Sequence, residues 1–161
     1  MKVRVRMFPF LLVLFAVLTV FIVSPMAQEK PADNMQLVRE KIQTDKKLFI
    51  AQNMNLTESE AKVFWPVYEN YQKDLEKLVD KTVKLIENYS ANYQTMTEEA
   101  AKELINGYLA IEGERVALMK SFLPKFRKVL PEKKVARYYQ LENKIDAVVN
   151  YGLAKQIPLV K

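Results

Sequence analysis

From Phe64 to Tyr89 the chain places its larger side chains at steps that alternate four and three: Phe64, Tyr68, Tyr71, Leu75, Leu78, Thr82, Leu85 and Tyr89. That spacing keeps one face of an α-helix turned toward a neighbouring helix. A strand turns successive side chains to opposite faces and has no use for it. "TESE" (Thr57 to Glu60) is a capping box, in which the Thr57 hydroxyl accepts from the Glu60 amide and the Glu60 side chain reaches back. No strong stop follows before about Gln94, so the spacing predicts a helix of about 37 residues, ~55 Å long at 1.5 Å per residue. Glu69–Lys73 and Asp80–Lys84 are placed as i,i+4 pairs for its wet face.

A helix this long needs a partner of similar length, and the sequence supplies one. After "QTMTEE", with Thr95 or Thr97 as the cap, Leu104, Tyr108, Ile111, Leu118, Phe122 and Val129 repeat the spacing to about Leu130. Arg115 takes one position of that seam. A shorter helix precedes the pair, from about Asn34 to Asn53, capped by Asp33 or Asn34, with Leu37, Val38, Ile42, Leu48 and Phe49 inward. Another follows from Pro131, carrying Val135, Tyr138, Tyr139, Ile145, Val148 and Val149, with Gly152 as a left-handed cap. The expected fold is all-α: four helices, with a long curved antiparallel hairpin flanked by two shorter helices.

The curvature is expected from proline. Pro66 lies too deep for the first turn of its helix, and Pro124 is as far from the hairpin tip on the other arm. An interior proline removes one hydrogen bond and crowds the preceding turn, so both arms are expected to bend there, with Trp65 at the bend.

Residues 1–27 read differently. Lys2, Arg4 and Arg6 precede an apolar run from Phe10 to Val23 and then "SPMA", the order of a secretory signal peptide, with an uncleaved anchor as the alternative. Cleavage after Ala27 would start the chain at Gln28 and leave residues 28–161 as a single helical domain. Three of the 25 basic residues and none of the 19 acidic ones lie in 1–27, so the remainder carries a net charge of +3. That mild excess does not point to nucleic acid. With no cysteine there is no disulfide framework, and stability must come from packing.

"LTESE" (Leu56 to Glu60) resembles the LTxxQ motif of the Spy/CpxP-like periplasmic family, with Glu60 where that family has glutamine. "MTEEA" (Met96 to Ala100, with Thr97 in the motif position) resembles a second, degraded copy, and "LPEKKVARYYQLENK" (Leu130 to Lys144) resembles the family's later helix start. The resemblance covers roughly residues 35 to 150. It implies a periplasmic, thin, curved helical hairpin that dimerises into a cradle and binds unfolded or stress-exposed proteins without ATP.

The chain has neither histidine nor cysteine. Ser-His-Asp and Cys-His sites are therefore excluded as usually built, as is a Glu-x-x-His di-iron bundle. Zinc would have carboxylates alone, and no glycine-rich phosphate loop occurs. No cofactor, metal or catalytic residue is expected, and Glu98, Glu99, Glu112 and Glu114 read as solvated helix surface. The candidate site is "KSFLPKFRKVLPEKKVAR" (Lys120 to Arg137), where Phe122, Lys125, Phe126, Arg127, Lys128, Lys133, Lys134 and Arg137 combine apolar and basic groups. Such a surface holds partly unfolded chains, or lies against anionic lipid headgroups. Its aromatics read equally as core.

The expected function is an exported, non-enzymatic, ATP-independent chaperone or envelope-stress factor, acting as a homodimer on unfolded or partly folded proteins. The alternative is a structural or regulatory module with one dedicated envelope partner, membrane-tethered if the leader is retained.

Overall fold

The computed structural model describes residues 31–160, with side chains from Ile42 to Val160; the expected leader and cleavage site lie outside them. Four helices follow one another: α1 (Pro31–Met54), α2 (Glu58–Asn92), α3 (Glu98–Val129) and α4 (Glu132–Ala154), with a 3-10 turn at Tyr93–Thr95. Among the described residues there is no strand, and the fold is all-α. The chain divides into two compact units, Met1–Lys41 and Ile42–Lys161. Of the first, the described part is the opening of α1. The second holds the core.

Helix boundaries follow local chemistry. The capping box at Thr57 is complete: the Thr57 amide donates to Glu60 Oε2 (2.8 Å), and the Glu60 amide donates to Thr57 Oγ1 (3.3 Å). Thr97, not Thr95, caps α3, accepting from the Ala100 amide at 3.2 Å. α4 opens at Glu132 behind Pro131. The described part of α1 opens at Pro31, so Asp33 and Asn34 fall inside the helix and neither caps it. It ends where Asn55 adopts φ 49°, a left-handed conformation that asparagine tolerates. Gly152 stays within α4 and no described glycine has positive φ, so the expected left-handed cap is absent.

α2 and α3 form the antiparallel hairpin. The Tyr71 ring meets Phe122 (5.3 Å between centroids), Lys81 Nζ donates to Glu114 Oε1 (2.7 Å), and a Cβ on Gly107 would meet Leu85 at 3.0 Å. Each step along α2 is thus matched by a step back along α3. Gly107 permits the close approach at the outer end. Both helices run unbroken through their prolines, which this register sets at matching levels.

α4 returns along the hairpin. Tyr138, fully buried, sits among Phe126 (4.6 Å), Phe64 (5.4 Å), Tyr68 (6.1 Å) and Tyr71 (6.3 Å). The second half of α1 contributes Ile50 and Met54, both fully buried, each worth about 1.5–3 kcal/mol. The α2 stripe is inward as expected: Phe64, Tyr68, Tyr71, Leu75, Leu78 and Tyr89 are buried.

Elsewhere the inward face is shifted. In α1, Ile42 and Leu48 are exposed while Ile50 is buried. Leu48 lies nearly opposite Ile50 around the helix, and the side that carries Lys46, Ile50 and Met54 is the one turned to the core. Tyr108 in α3 and Val148 and Val149 in α4 are exposed, beyond the stretch where three helices surround one core. Glu69 pairs with Lys47 of α1 (2.7 Å), since packing brings that ammonium across from another helix. Past α4 the chain turns back, and the Tyr89 hydroxyl donates to the Pro158 carbonyl (2.6 Å).

Candidate functional site

The basic and aromatic segment, Lys120 to Arg137, spans the end of α3, the Leu130–Pro131 corner and the start of α4. A helix turns its faces by about 100° per residue, so the interleaved residue types part. Phe122 and Phe126 are 3% and 0% exposed and belong to the core. They are not client-binding surface. The expected mixed surface does not exist, because Tyr71 of α2 meets both rings, and Tyr138 and Tyr139 of α4 close over Phe126.

The cations of the segment have separate employments. Lys125 Nζ lies 3.7 Å from the centroid of the Phe122 ring, covering its outer side. Arg127 Nε pairs with Glu132 across the corner (2.7 Å). Lys128 and Lys133 are exposed. Lys134 and Arg137 turn inward along α4 to the end of α1. Lys134 Nζ donates to the Asn55 carbonyl (2.9 Å) and to Glu60, and Arg137 Nε donates to the Asn53 carbonyl (2.5 Å). The last carbonyls of a helix carry a partial negative charge, and two cations from α4 answer it.

The motif residues join this junction. Leu56 packs half-buried against the core, and Thr57 and Glu60 form the capping box. Hydrogen bonding from Lys134, then from the Thr57 amide, holds the Glu60 carboxyl below its ordinary value. A carboxylate serves here where an amide would not, since it accepts from Thr57 and also balances Lys134. Trp65 is half-buried at the edge of the core, against Phe64 (5.0 Å) and Tyr68 (5.3 Å), with Lys47 Nζ 5.3 Å from its ring.

The least expected feature lies one turn further along α4. Glu142 is 4% exposed. Its Oε1 accepts from Gln72 Nε2 of α2 (3.1 Å), and its Oε2 lies 2.7 Å from Lys46 Nζ of α1. At that distance the ammonium holds Oε2 by charge and by hydrogen bonding together. Burial raises the Glu142 carboxyl above its ordinary value, and the attraction of Lys46 only partly offsets it. Burial, reinforced by the Glu142 charge, likewise pushes the Tyr68, Tyr71 and Tyr138 hydroxyls up, so these phenols stay neutral. A charge inside an aromatic core leaves no periodicity signal, because a glutamate at an inward helical position reads as a surface residue at a neighbouring one. Tyr138 and Leu141, both buried, flank that position and were the available hint.

Among the described residues no group of three or more acidic side chains is arranged to hold a metal, and no helix is long and apolar enough to cross a membrane. Glu112 pairs with Arg115 (3.7 Å), which also reaches Asp146 of α4 (3.9 Å), while Glu114 pairs with Lys81 across the hairpin. Fold and site together define an all-α protein whose described residues form four helices around an aromatic core. No family model, curated protein or solved structure matches the chain.

Proposed function

We propose that this is an exported, non-enzymatic binding protein that holds unfolded or partly folded polypeptides without ATP. The observation that carries the reading is the outer face of α3. Ile105, Tyr108, Leu109 and Val116 are 56%, 54%, 59% and 47% exposed at helical spacing, and the outer end of α4 adds Val148, Val149 and Tyr151. Exposed apolar side chains gathered on one helix face, with only Glu112 between Leu109 and Val116, mark an interaction site. Lys102 and Lys120 lie on the same helix, both exposed, so acidic stretches of a client are attracted as its apolar groups are covered.

The basic start (Lys2, Arg4, Arg6) and the apolar run from Phe10 to Val23 support export to the periplasm, and the LTxxQ resemblance supports the chaperone class. Two copies joined through part of the α3 face would form the homodimer. The test is suppression of aggregation by the full chain with several unrelated unfolded clients, alongside Leu109→Lys with Val116→Lys. The parent is expected to suppress all of them, and the double variant to lose suppression while keeping its helical circular dichroism. One stable co-purifying partner and no general suppression would replace this reading with a dedicated regulatory module.

A further inference from the structure

The last turns of α1, from Ile42 to Met54, lie across α2 and α4 through three kinds of contact. Ile50 and Met54 enter the core fully. One turn before Ile50, Lys46 reaches buried Glu142, while Lys47 reaches Glu69 and lies over Trp65. At the far end, Arg137 and Lys134 take the carbonyls of Asn53 and Asn55. Lys46, Ile50 and Met54 are spaced i, i+4 and i+8, one face of a helix.

The receiving side thus has an acid for a cation, an apolar seat for two aliphatic side chains, and two cations for a helix C-terminus. Those are the elements of helix-in-groove recognition, written for a type of segment rather than for one sequence. On the occupant itself, Ile42 and Leu48 are exposed. Glu142 is the telling part. An ion pair removed from water is seldom more stable than an apolar pair of the same shape. What it does supply is discrimination, because a segment without a cation leaves the buried carboxylate unpaired.

We propose that residues 42–54 are an internal occupant of a client groove on α2 and α4. The groove takes, in their place, helical segments carrying a lysine or arginine one turn before two large aliphatic side chains. This rests on the holding function above and names the clients its core-side site accepts. Displacing α1 exposes the groove, and refolding of α1 onto it expels the client.

Trp65, the only tryptophan, stands at the groove edge beside Lys47 and reports its occupancy. The full chain carrying Lys46→Glu sets two acids against each other and is expected to release its own α1, seen as a change in Trp65 emission. The synthetic peptide of residues 42–54 should then bind it saturably and restore the parental spectrum. The same peptide carrying Lys46→Glu should bind at least tenfold more weakly. Reduced lysozyme, a basic unfolded client, should be held at a several-fold lower ratio of the released variant than of the parent. The full chain with Ile50→Ala and Met54→Ala, which keeps the ion pair, is a second released form in case the first fails to fold. If a released form with intact helical circular dichroism binds neither peptide, or binds both alike, the proposal is overturned. Peptide binding without any client holding by parent or variant would sustain the groove and reject the holding function. Holding that is indifferent to α1 release would sustain the function and reject the groove as its site.

Discussion

Lys46 Nζ of α1 lies 2.7 Å from Glu142 Oε2 of α4, and both side chains are nearly closed off from solvent. This pair joins the first helix to the last across the aromatic core. Removing one partner differs sharply from removing both. Lys46→Met alone should cost about 3 kcal/mol near neutral pH, as for other half-removed buried pairs. Lys46→Met with Glu142→Leu should be neutral or up to about 4 kcal/mol more stable than the parent. Urea unfolding of the three chains checks the order.

The same carboxylate sets a pH dependence. Its folded value is raised above the ordinary 4.5. Its stabilising contribution is therefore fully present below pH 4.5 and is lost as pH rises through the raised value, where the core must release a proton. Glu142→Gln should remove that decline, so the denaturation midpoints of parent and variant should diverge with rising pH. Parallel curves would show that burial does not govern this group.

Glu60 runs the other way. Its folded value is depressed by Lys134 and the Thr57 amide. Its contribution is present above the ordinary carboxylate value and is lost as pH falls through the depressed one. Glu60→Gln keeps an acceptor for Thr57 and loses the partner of Lys134, so acid unfolding should become less steep on its account. Hydrogen exchange at Asn55 to Ala61, followed against pH, localises the effect.

Phe126 and Lys133 lie seven residues apart in the basic and aromatic segment and differ wholly in burial. Phe126→Ala should cost about 3–5 kcal/mol, since α2 and α4 both close on the ring. Lys133→Ala should stay within about 0.5 kcal/mol. Thermal denaturation distinguishes the two at once.

The prolines test shape against stability. α2 passes through Pro66 without a break, so Pro66→Ala restores a hydrogen bond toward Lys62 and should leave stability unchanged or raise it, by at most about 3 kcal/mol. If the expected bend at Pro66 is present and shapes a client surface, client holding falls while the fold persists. Unchanged holding would mean that the proline is tolerated rather than used.

The glycines of α3 give a finer contrast. A Cβ at Gly113 meets nothing within 4 Å, and Gly113→Ala should gain close to the full ~1 kcal/mol of helix propensity. At Gly107 the new Cβ meets Leu85 at 3.0 Å, so Gly107→Ala should gain less or lose. Equal gains would show that Leu85 moves aside freely.

The sequence by itself determined the helices and the inward face of α2. Thr57 and Thr97 cap through their own side chains, and a four-and-three repeat over eight positions admits only a helix laid along another. It also placed Phe122 and Phe126 in one stretch with Lys125, Lys128 and Lys133, without saying which would be covered. Tertiary structure decided that, because burial depends on which helix lies opposite. Ile50 is inside and Leu48 outside for the same reason: they point to nearly opposite sides of one helix, and only one side meets neighbouring helices. Glu142 is the extreme case. Its charge, read locally, assigns it to water, and only the convergence of Lys46, Gln72 and Tyr138 from three helices gives a buried carboxylate its neighbours.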